Sequence, residues 1–232
     1  MTERKLNRLE TTRLIRPMVD QHWESLRRAP ERGQKTAWCN GPLVMLTGAM
    51  DIPTHFMAGY ASYVTGIGAA PEIFEAAEAD GQNPEGCSYH RLHMGLLSLI
   101  SKGAPIREEA RLPVPDLMIC SRLCTEQSHD SDALYRRFGV PVVPIDLVPP
   151  HSFAESDIKD RVEYVKRQLR EVVIPAIEKI VGRPYNYDRL SEIMAVLKKA
   201  SLMRKQCLEL TKNIPAPWTM FDISVSLAPV IY

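Results

Sequence analysis

The chain has 232 residues, 45% of them hydrophobic and 25% charged, which is the composition of an ordinary globular protein. Its net charge of +1 gives no basic surface of the kind that binds nucleic acid or anionic membranes. No apolar run approaches the roughly 20 residues that span a bilayer. The charged start of the chain lacks the apolar core of a secretory signal, so we expect a cytoplasmic protein.

Helical and strand patterns alternate in the first hundred residues. Residues 4–28 predict an amphipathic helix, which Pro30 and Gly33 end. A short strand in "KTAWC", a small apolar helix after Gly41-Pro42 and a short acidic helix in "PEIFEAAEADG" follow. The stretch "EGCSYHRLHMGLLSLISKG" predicts a longer helix, which Gly103 stops.

The clearest pattern in the sequence predicts a strand–helix–strand unit. "DLMIC" is a continuous apolar run, as expected for a strand buried on both faces. Residues 125–138 predict a helix that Gly139 ends, and "VPVVPIDLV" predicts a second strand. This order favours an α/β fold with a Rossmann-like parallel sheet and flanking helices. Ligands of such sheets bind outside the carboxyl ends of the strands, where Cys124 lies.

The C-terminal part of the chain is predicted to be helical. A long helix begins at Ser156, is kinked at Pro175 and ends at Gly182. A second helix covers "YDRLSEIMAVLKKASLMRKQCLELTKN", in which an apolar stripe includes Cys207. We therefore expect Cys207 to be a packing residue.

The five cysteines are an odd number and are expected to stay free in a reducing compartment. Cys87 and Cys124 are each predicted at a helix start, where backbone N–H groups and the helix dipole stabilise a thiolate that could bind iron. Cys120 is expected inside its strand. His90 and His93 could be metal ligands, although surface or supporting roles are favoured for them.

Three ordered stretches carry a family resemblance: "GCSYHRLHMGLL", "PDLMICSRLCTEQ…YRRFGVPVVPIDLVPP" and "VKRQLREVVIPAIEKIVGRPYNYDRLSEIM". Together they resemble the iron–sulfur subunits of benzoyl-CoA reductase and the 2-hydroxyacyl-CoA dehydratases. The resemblance runs from about Lys35 to Pro217 and rests on the order and spacing of the motifs.

The resemblance implies two Rossmann-like lobes with a [4Fe-4S] cluster between them, held by three cysteines. Cys87 and Cys124 match the first two of these ligands. It also implies an acyl-CoA substrate, a homologous second subunit and a separate ATP-hydrolysing iron–sulfur activator that delivers single electrons. The thioester would become a ketyl radical anion, which leads to loss of a β-hydroxyl group or to ring reduction.

The chain departs from the family pattern in two ways. Family subunits are about twice as long, and their third cluster ligand lies in a later lobe that this chain lacks. Where the family often has an acidic residue two positions after a proline in the first strand–helix turn, this chain has Val44. Cys39 is the candidate for a third ligand. The predicted organisation is an N-terminal helical segment (1–33), a cluster-binding α/β lobe (34–150) and a helical segment leading towards the missing lobe (151–232).

Several functions stay open. The stretch 158–193 favours benzoyl-CoA reductase. The alternatives within the family are a 2-hydroxyacyl-CoA dehydratase subunit and a reductase with a double-cubane cluster. A rival from another class is a cluster-free α/β module that only binds acyl-CoA or docks a partner.

Overall fold

The structure is a computed structural model that describes residues 9–40, 43–147 and 152–226. The predicted start of the first helix at residue 4, the Gly41-Pro42 pair and the apolar end of the chain lie outside these ranges. Within them, no helix is both long enough and apolar enough to cross a membrane.

The described residues contain a four-stranded parallel sheet with the strand order β2-β1-β3-β4. The strands are β1 (Ala37–Cys39), β2 (Thr54–Phe56), β3 (Leu117–Ser121) and β4 (Val142–Ile145). All five side chains of β3 are buried, as its continuous apolar run predicts. The predicted α/β fold with a parallel sheet is confirmed. The sequence patterns did not predict β2, which has only three residues and includes two polar ones.

Helices flank the sheet and follow it along the chain. Those before β4 are α1 (Glu10–Arg27), α2 (Val44–Gly48), α3 (Met57–Gly66), α4 (Ala70–Ala79), α5 (Ser88–Ser101) and α6 (Thr125–Phe138). Those after it are α7 (Glu155–Gln168), α8 (Ile174–Val181), α9 (Tyr187–Leu210) and α10 (Met220–Val225). The sequence predicted most of these, but not the short α10 and not α3, whose apolar residues lie on nearly every side.

The alternation of side chains along the strands produces two hydrophobic cores, one on each face of the sheet. Trp38 and Met118 point into the first core, with residues of α1 and α3–α6. Leu117 and Ile119 point into the second, where Ile177 of α8 packs against them. The sheet is therefore covered on both faces, as parallel sheets generally are.

Two helices of the first core come unusually close. A Cβ atom added to Gly95 of α5 would lie only 2.0 Å from the carbonyl oxygen of Ile73 in α4. No side chain fits in that space, so glycine sets the separation of the two helices and, through it, the position of α5.

The helical C-terminal part differs from expectation in two details. The predicted kink at Pro175 takes the form of a π-helical turn, Leu169–Val173, between α7 and α8. Gly182 ends α8 in the left-handed conformation, as predicted. The prediction that Cys207 packs is wrong: Cys207 is exposed, and α9 buries none of its residues. An apolar stripe indicates a helix face, but within the described residues this one stays mostly exposed.

Candidate functional site

Cys124 lies in the loop that leaves the carboxyl end of β3. It is exposed and is the N-cap residue of α6, with an extended backbone (φ −141°, ψ 161°). Its side chain does not cap the helix. Instead, the amide oxygen of Gln127 accepts a hydrogen bond from the backbone N–H of Leu123 at 3.3 Å. The thiol therefore stays available beside the positive end of a 14-residue helix.

Asn40 fixes the strand end from which this loop starts. This residue follows β1 and is buried. Its side-chain oxygen accepts hydrogen bonds from the backbone N–H of Ser121 at 2.5 Å and from the Ser121 hydroxyl at 3.1 Å. Its side-chain nitrogen donates to the Cys120 sulfur at 3.4 Å. One amide thus ties the end of β1 to the end of β3, three residues before Cys124.

Cys87 has a matching position on α5. It is exposed and is the N-cap residue of this second 14-residue helix, again without a side-chain cap. A tight turn precedes it, in which the N–H of Gly86 donates to the Asn83 carbonyl at 3.0 Å. The Asn83 side chain also accepts from the N–H of Glu85 at 3.0 Å. The predicted placement of both cysteines at helix starts therefore agrees with the structure.

The first turns of α5 and α6 touch each other. Nδ1 of His90 lies 2.6 Å from a carboxylate oxygen of Asp130, and its Nε2 lies 3.5 Å from Glu126. One turn further along, Met94 and Ala133 line the same cleft. Because later residues of α5 meet later residues of α6, the helices run in the same direction. His90 comes three residues after Cys87, and Glu126 comes two after Cys124, so both N-terminal ends lie on one side of the molecule.

The remaining cysteines have other surroundings. Cys39 is fully buried in β1, and burial raises the pKa of its thiol to about 12, which disfavours the thiolate that a metal requires. Its assignment as a third ligand stays a prediction that this burial disfavours. Cys120 is buried in β3, as expected. Cys207 lies on α9, outside the two touching helices.

A chain of polar side chains leads from these helix starts into the first core. Nε2 of His55 in β2 lies 3.3 Å from Nε2 of His93 in α5, and both rings are buried. Burial lowers the pKa of His55 well below its usual value, helped by the neighbouring His93. Burial also lowers the pKa of His93, although Asp130 opposes the shift. Both imidazoles are therefore held neutral near pH 7.

His90 behaves in the opposite way. Burial by itself would lower its pKa, but the hydrogen bond to Asp130 and the charges of Asp130 and Glu126 outweigh burial, so the pKa is raised. His90 and His93 could be named from the sequence, but these carboxylates and His129 were missed. The signal was present: Glu126 and His129 are three residues apart and therefore share a helix face.

The donor set at the two helix starts fits part of an iron–sulfur ligand set. Thiolates are the protein ligands of such clusters, and Cys87 and Cys124 are two exposed thiols beside unpaired helix N–H groups. Two thiols are fewer than the three that the resemblance implies. On the part of the chain that the structure describes, the other cysteines do not join them.

Comparison with known proteins decides the family. The sequence model of the family described as "2-hydroxyglutaryl-CoA dehydratase, D-component" matches residues 44–232. The chain belongs to this family. The match covers β2–β4, both cysteine-bearing helix starts and the C-terminal helices, and it confirms the resemblance inferred from the sequence.

Curated relatives come from both branches of that resemblance. The chain is 23% identical to the (R)-phenyllactyl-CoA dehydratase alpha subunit of Clostridium sporogenes, over 88% of this chain and 48% of the relative. It is 24% identical to the (R)-2-hydroxyisocaproyl-CoA dehydratase alpha subunit of Clostridioides difficile, over 100% and 54%. It is 27% identical to one of the subunits of the benzoyl-CoA reductase of Thauera aromatica, over 61% and 32%. The chain thus spans about half the length of the curated dehydratase relatives that it matches.

Proposed function

We propose that this chain is part of a cytoplasmic acyl-CoA-processing enzyme in which Cys87 and Cys124 bind a [4Fe-4S] cluster. The observation that carries the proposal is the contact between His90 and Glu126, which joins the first turns of the two helices whose N-cap residues are Cys87 and Cys124. Family membership and the names of the relatives support the acyl-CoA substrate. When bound, the cluster would supply single electrons of low potential.

The chain's own residues would hold and tune this centre. The backbone N–H groups at the start of α5 and α6 have no intrahelical acceptors, and Cys87 and Cys124 are the residues that directly precede them. They stabilise thiolate charge and would donate hydrogen bonds to bound sulfur. Asn40 would keep the Cys124 loop in register by fixing the end of β3. We expect loss of this amide to loosen the site without removing either ligand.

The remaining ligands and the partners belong to the same proposal. The third thiolate would come from the homologous second subunit or from sequence beyond this chain, because Cys39 is buried. A separate ATP-hydrolysing iron–sulfur activator would deliver the electrons.

The substrate would be a 2-hydroxyacyl-CoA or benzoyl-CoA. The inclination towards benzoyl-CoA reductase, based on residues 158–193, stays a prediction, and dehydration is supported equally well. A double-cubane reductase is the third candidate within the family.

Iron analysis of oxygen-free preparations tests the proposal. The chain is co-expressed with its homologous partner subunit and purified without oxygen, and iron and acid-labile sulfide are measured. We expect Cys87→Ser and Cys124→Ser each to abolish iron retention. Cys207→Ser is the matched control, since Cys207 is also exposed and lies on α9. It should keep the iron content of the unchanged protein.

Two outcomes would contradict the proposal. Equal iron in all three variants would refute the ligand assignment. Absence of iron and sulfide from the unchanged complex would favour the cluster-free docking module. If the cluster is present, activity with 2-hydroxyacyl-CoA against activity with benzoyl-CoA distinguishes the two reactions.

A further inference from the structure

The contact between α5 and α6 also brings together donors that the iron–sulfur proposal does not use as ligands. They are the imidazoles of His90 and His129 and the carboxylate of Glu126. One ligand atom from each of the three lies within 4.8 Å of the others. Nε2 of His90 and Nδ1 of His129 lie 3.5 and 3.8 Å from the same carboxylate oxygen of Glu126.

These separations suit a small divalent transition-metal ion. Zinc bonds of about 2.0–2.1 Å to nitrogen and oxygen place tetrahedral ligand atoms about 3.3 Å from each other. The two separations to Glu126 are slightly longer, and the two imidazole nitrogens lie within 4.8 Å of each other. Glu126 and His129 would close around an ion by side-chain rotation, which is open to them because neither is buried. Two imidazoles and one carboxylate are the donor set of several zinc and non-haem iron(II) sites.

Asp130 supplies an independent observation. This carboxylate is buried and lies 2.6 Å from Nδ1 of His90. A carboxylate only accepts hydrogen bonds, so Nδ1 carries the hydrogen, and Nε2 is left to face Glu126. Histidine ligands of metals are commonly oriented by a carboxylate in this way. The hydrogen bond to Asp130 therefore orients the His90 ring with Nε2 towards Glu126, and a metal ion bound there would displace any proton on Nε2.

We propose that His90, Glu126 and His129 form a mononuclear site for a divalent transition-metal ion such as Zn²⁺ or Fe²⁺, with Asp130 as the positioning residue. Three protein ligands leave a coordination position open for water or another small ligand. His90 and His129 also line an open cleft between α5 and α6. The site is separate from the proposed cluster, because it uses imidazole and carboxylate donors and no thiolate.

Metal titration of the full chain tests the site. The three exposed cysteines, Cys87, Cys124 and Cys207, are replaced by serine so that exposed thiolates cannot bind the probe. Zn²⁺ is followed by calorimetry, and Co²⁺ by its visible ligand-field absorption. We expect one equivalent of each ion to bind. His129→Ala and Glu126→Gln should abolish this binding, and Asp130→Asn should weaken it by about 10- to 100-fold.

Two controls make the result decisive. Asp132→Asn alters a carboxylate on the same helix that is paired with Arg136, and it should leave zinc affinity unchanged. His129 is exposed, so His129→Ala keeps the test valid if the Asp130 variant fails to fold. Absence of stoichiometric binding, or equal binding by His129→Ala, would overturn the proposal. In protein with all three cysteines intact, His129→Ala should retain iron and sulfide, so the two proposals fail separately.

Discussion

Helices α5 and α9 carry similar apolar stripes in the sequence but have opposite environments in the structure. From His90 to Ser98, all residues of α5 but Arg91 are buried, and Gly95 is pressed against the backbone of α4. In α9 no residue is buried, and Val196 is 68% exposed. The comparison shows that a hydrophobic period predicts a helix, whereas burial depends on which other elements reach that helix.

The difference also separates the roles of the two helices. The candidate site lies at the N-terminal end of α5, where its exposed first turn emerges from the core. The buried remainder of the helix holds that turn in place. Leu190 and Ile193 near the start of α9 pack against the second core, but Val196 and Cys207 further along are exposed. Changes in this later part of the stripe should therefore scarcely affect the stability of this chain.

The largest expected effect comes from filling the space between α4 and α5. Gly95→Ala would place a methyl group against the Ile73 carbonyl, so α5 must shift. We expect a loss of about 3 kcal/mol in the free energy of unfolding, at the upper end for overpacked cores. Urea denaturation followed by circular dichroism measures this loss.

The matched control is Gly66→Ala in α3. A Cβ atom at Gly66 would meet nothing within 4 Å, and alanine favours helix. This variant should be neutral or slightly more stable. A destabilisation as large as that of Gly95→Ala would contradict the close approach of α4 and α5.

A smaller effect should appear in the pH dependence of stability. The folded-state pKa of His55 is well below the value of about 6.5 for an unfolded histidine. The unfolded state therefore binds a proton that the folded state does not. Above pH 6.5 both states carry a neutral His55, and the free energy of unfolding is not reduced. Below that pH, protonation of the unfolded state lowers the free energy of unfolding by up to about 1.4 kcal/mol per pH unit.

His55→Gln removes this proton linkage. Between about pH 6.5 and 5, unfolding free energies of the variant should therefore fall less steeply than those of the unchanged protein. Above pH 7.5 the difference between the two proteins should be constant. Parallel curves over the whole range would show that His55 is not held neutral in the core.

The smallest effect is expected in α9. Val196→Ala shortens an exposed side chain, and surface substitutions usually change stability by no more than about 0.5 kcal/mol. Thermal unfolding of the chain by itself measures the change. A loss of 2 kcal/mol or more would mean that this stripe packs against something in the chain, and the comparison with α5 would then be mistaken.

The sequence predicts the local features of the fold better than the long-range ones. The buried run of β3, the helix after Cys124 and the stops at Gly139 and Gly182 follow from local patterns, and the structure agrees with them. β2 was missed, because its buried Thr54 and His55 resemble loop residues until Thr47 and His93 are known to meet them.

The residues of the candidate site were likewise predicted only where local sequence is sufficient. Cys87 and Cys124 could be named from the chemistry of helix starts and from the family resemblance. The importance of Asn40 and Asp130 could not, because each acts across 40 residues or more of sequence. Pairings of this kind depend on the order of strands in the sheet and on the direction of the helices, which local periodicity does not contain.

The most direct test of the central claim is to locate iron in crystals of the oxygen-free complex with the partner subunit. Anomalous diffraction at the iron absorption edge would identify it. The proposal predicts iron bonded to the sulfur atoms of both Cys87 and Cys124. A cluster bound elsewhere, with these two sulfurs facing solvent, would contradict it.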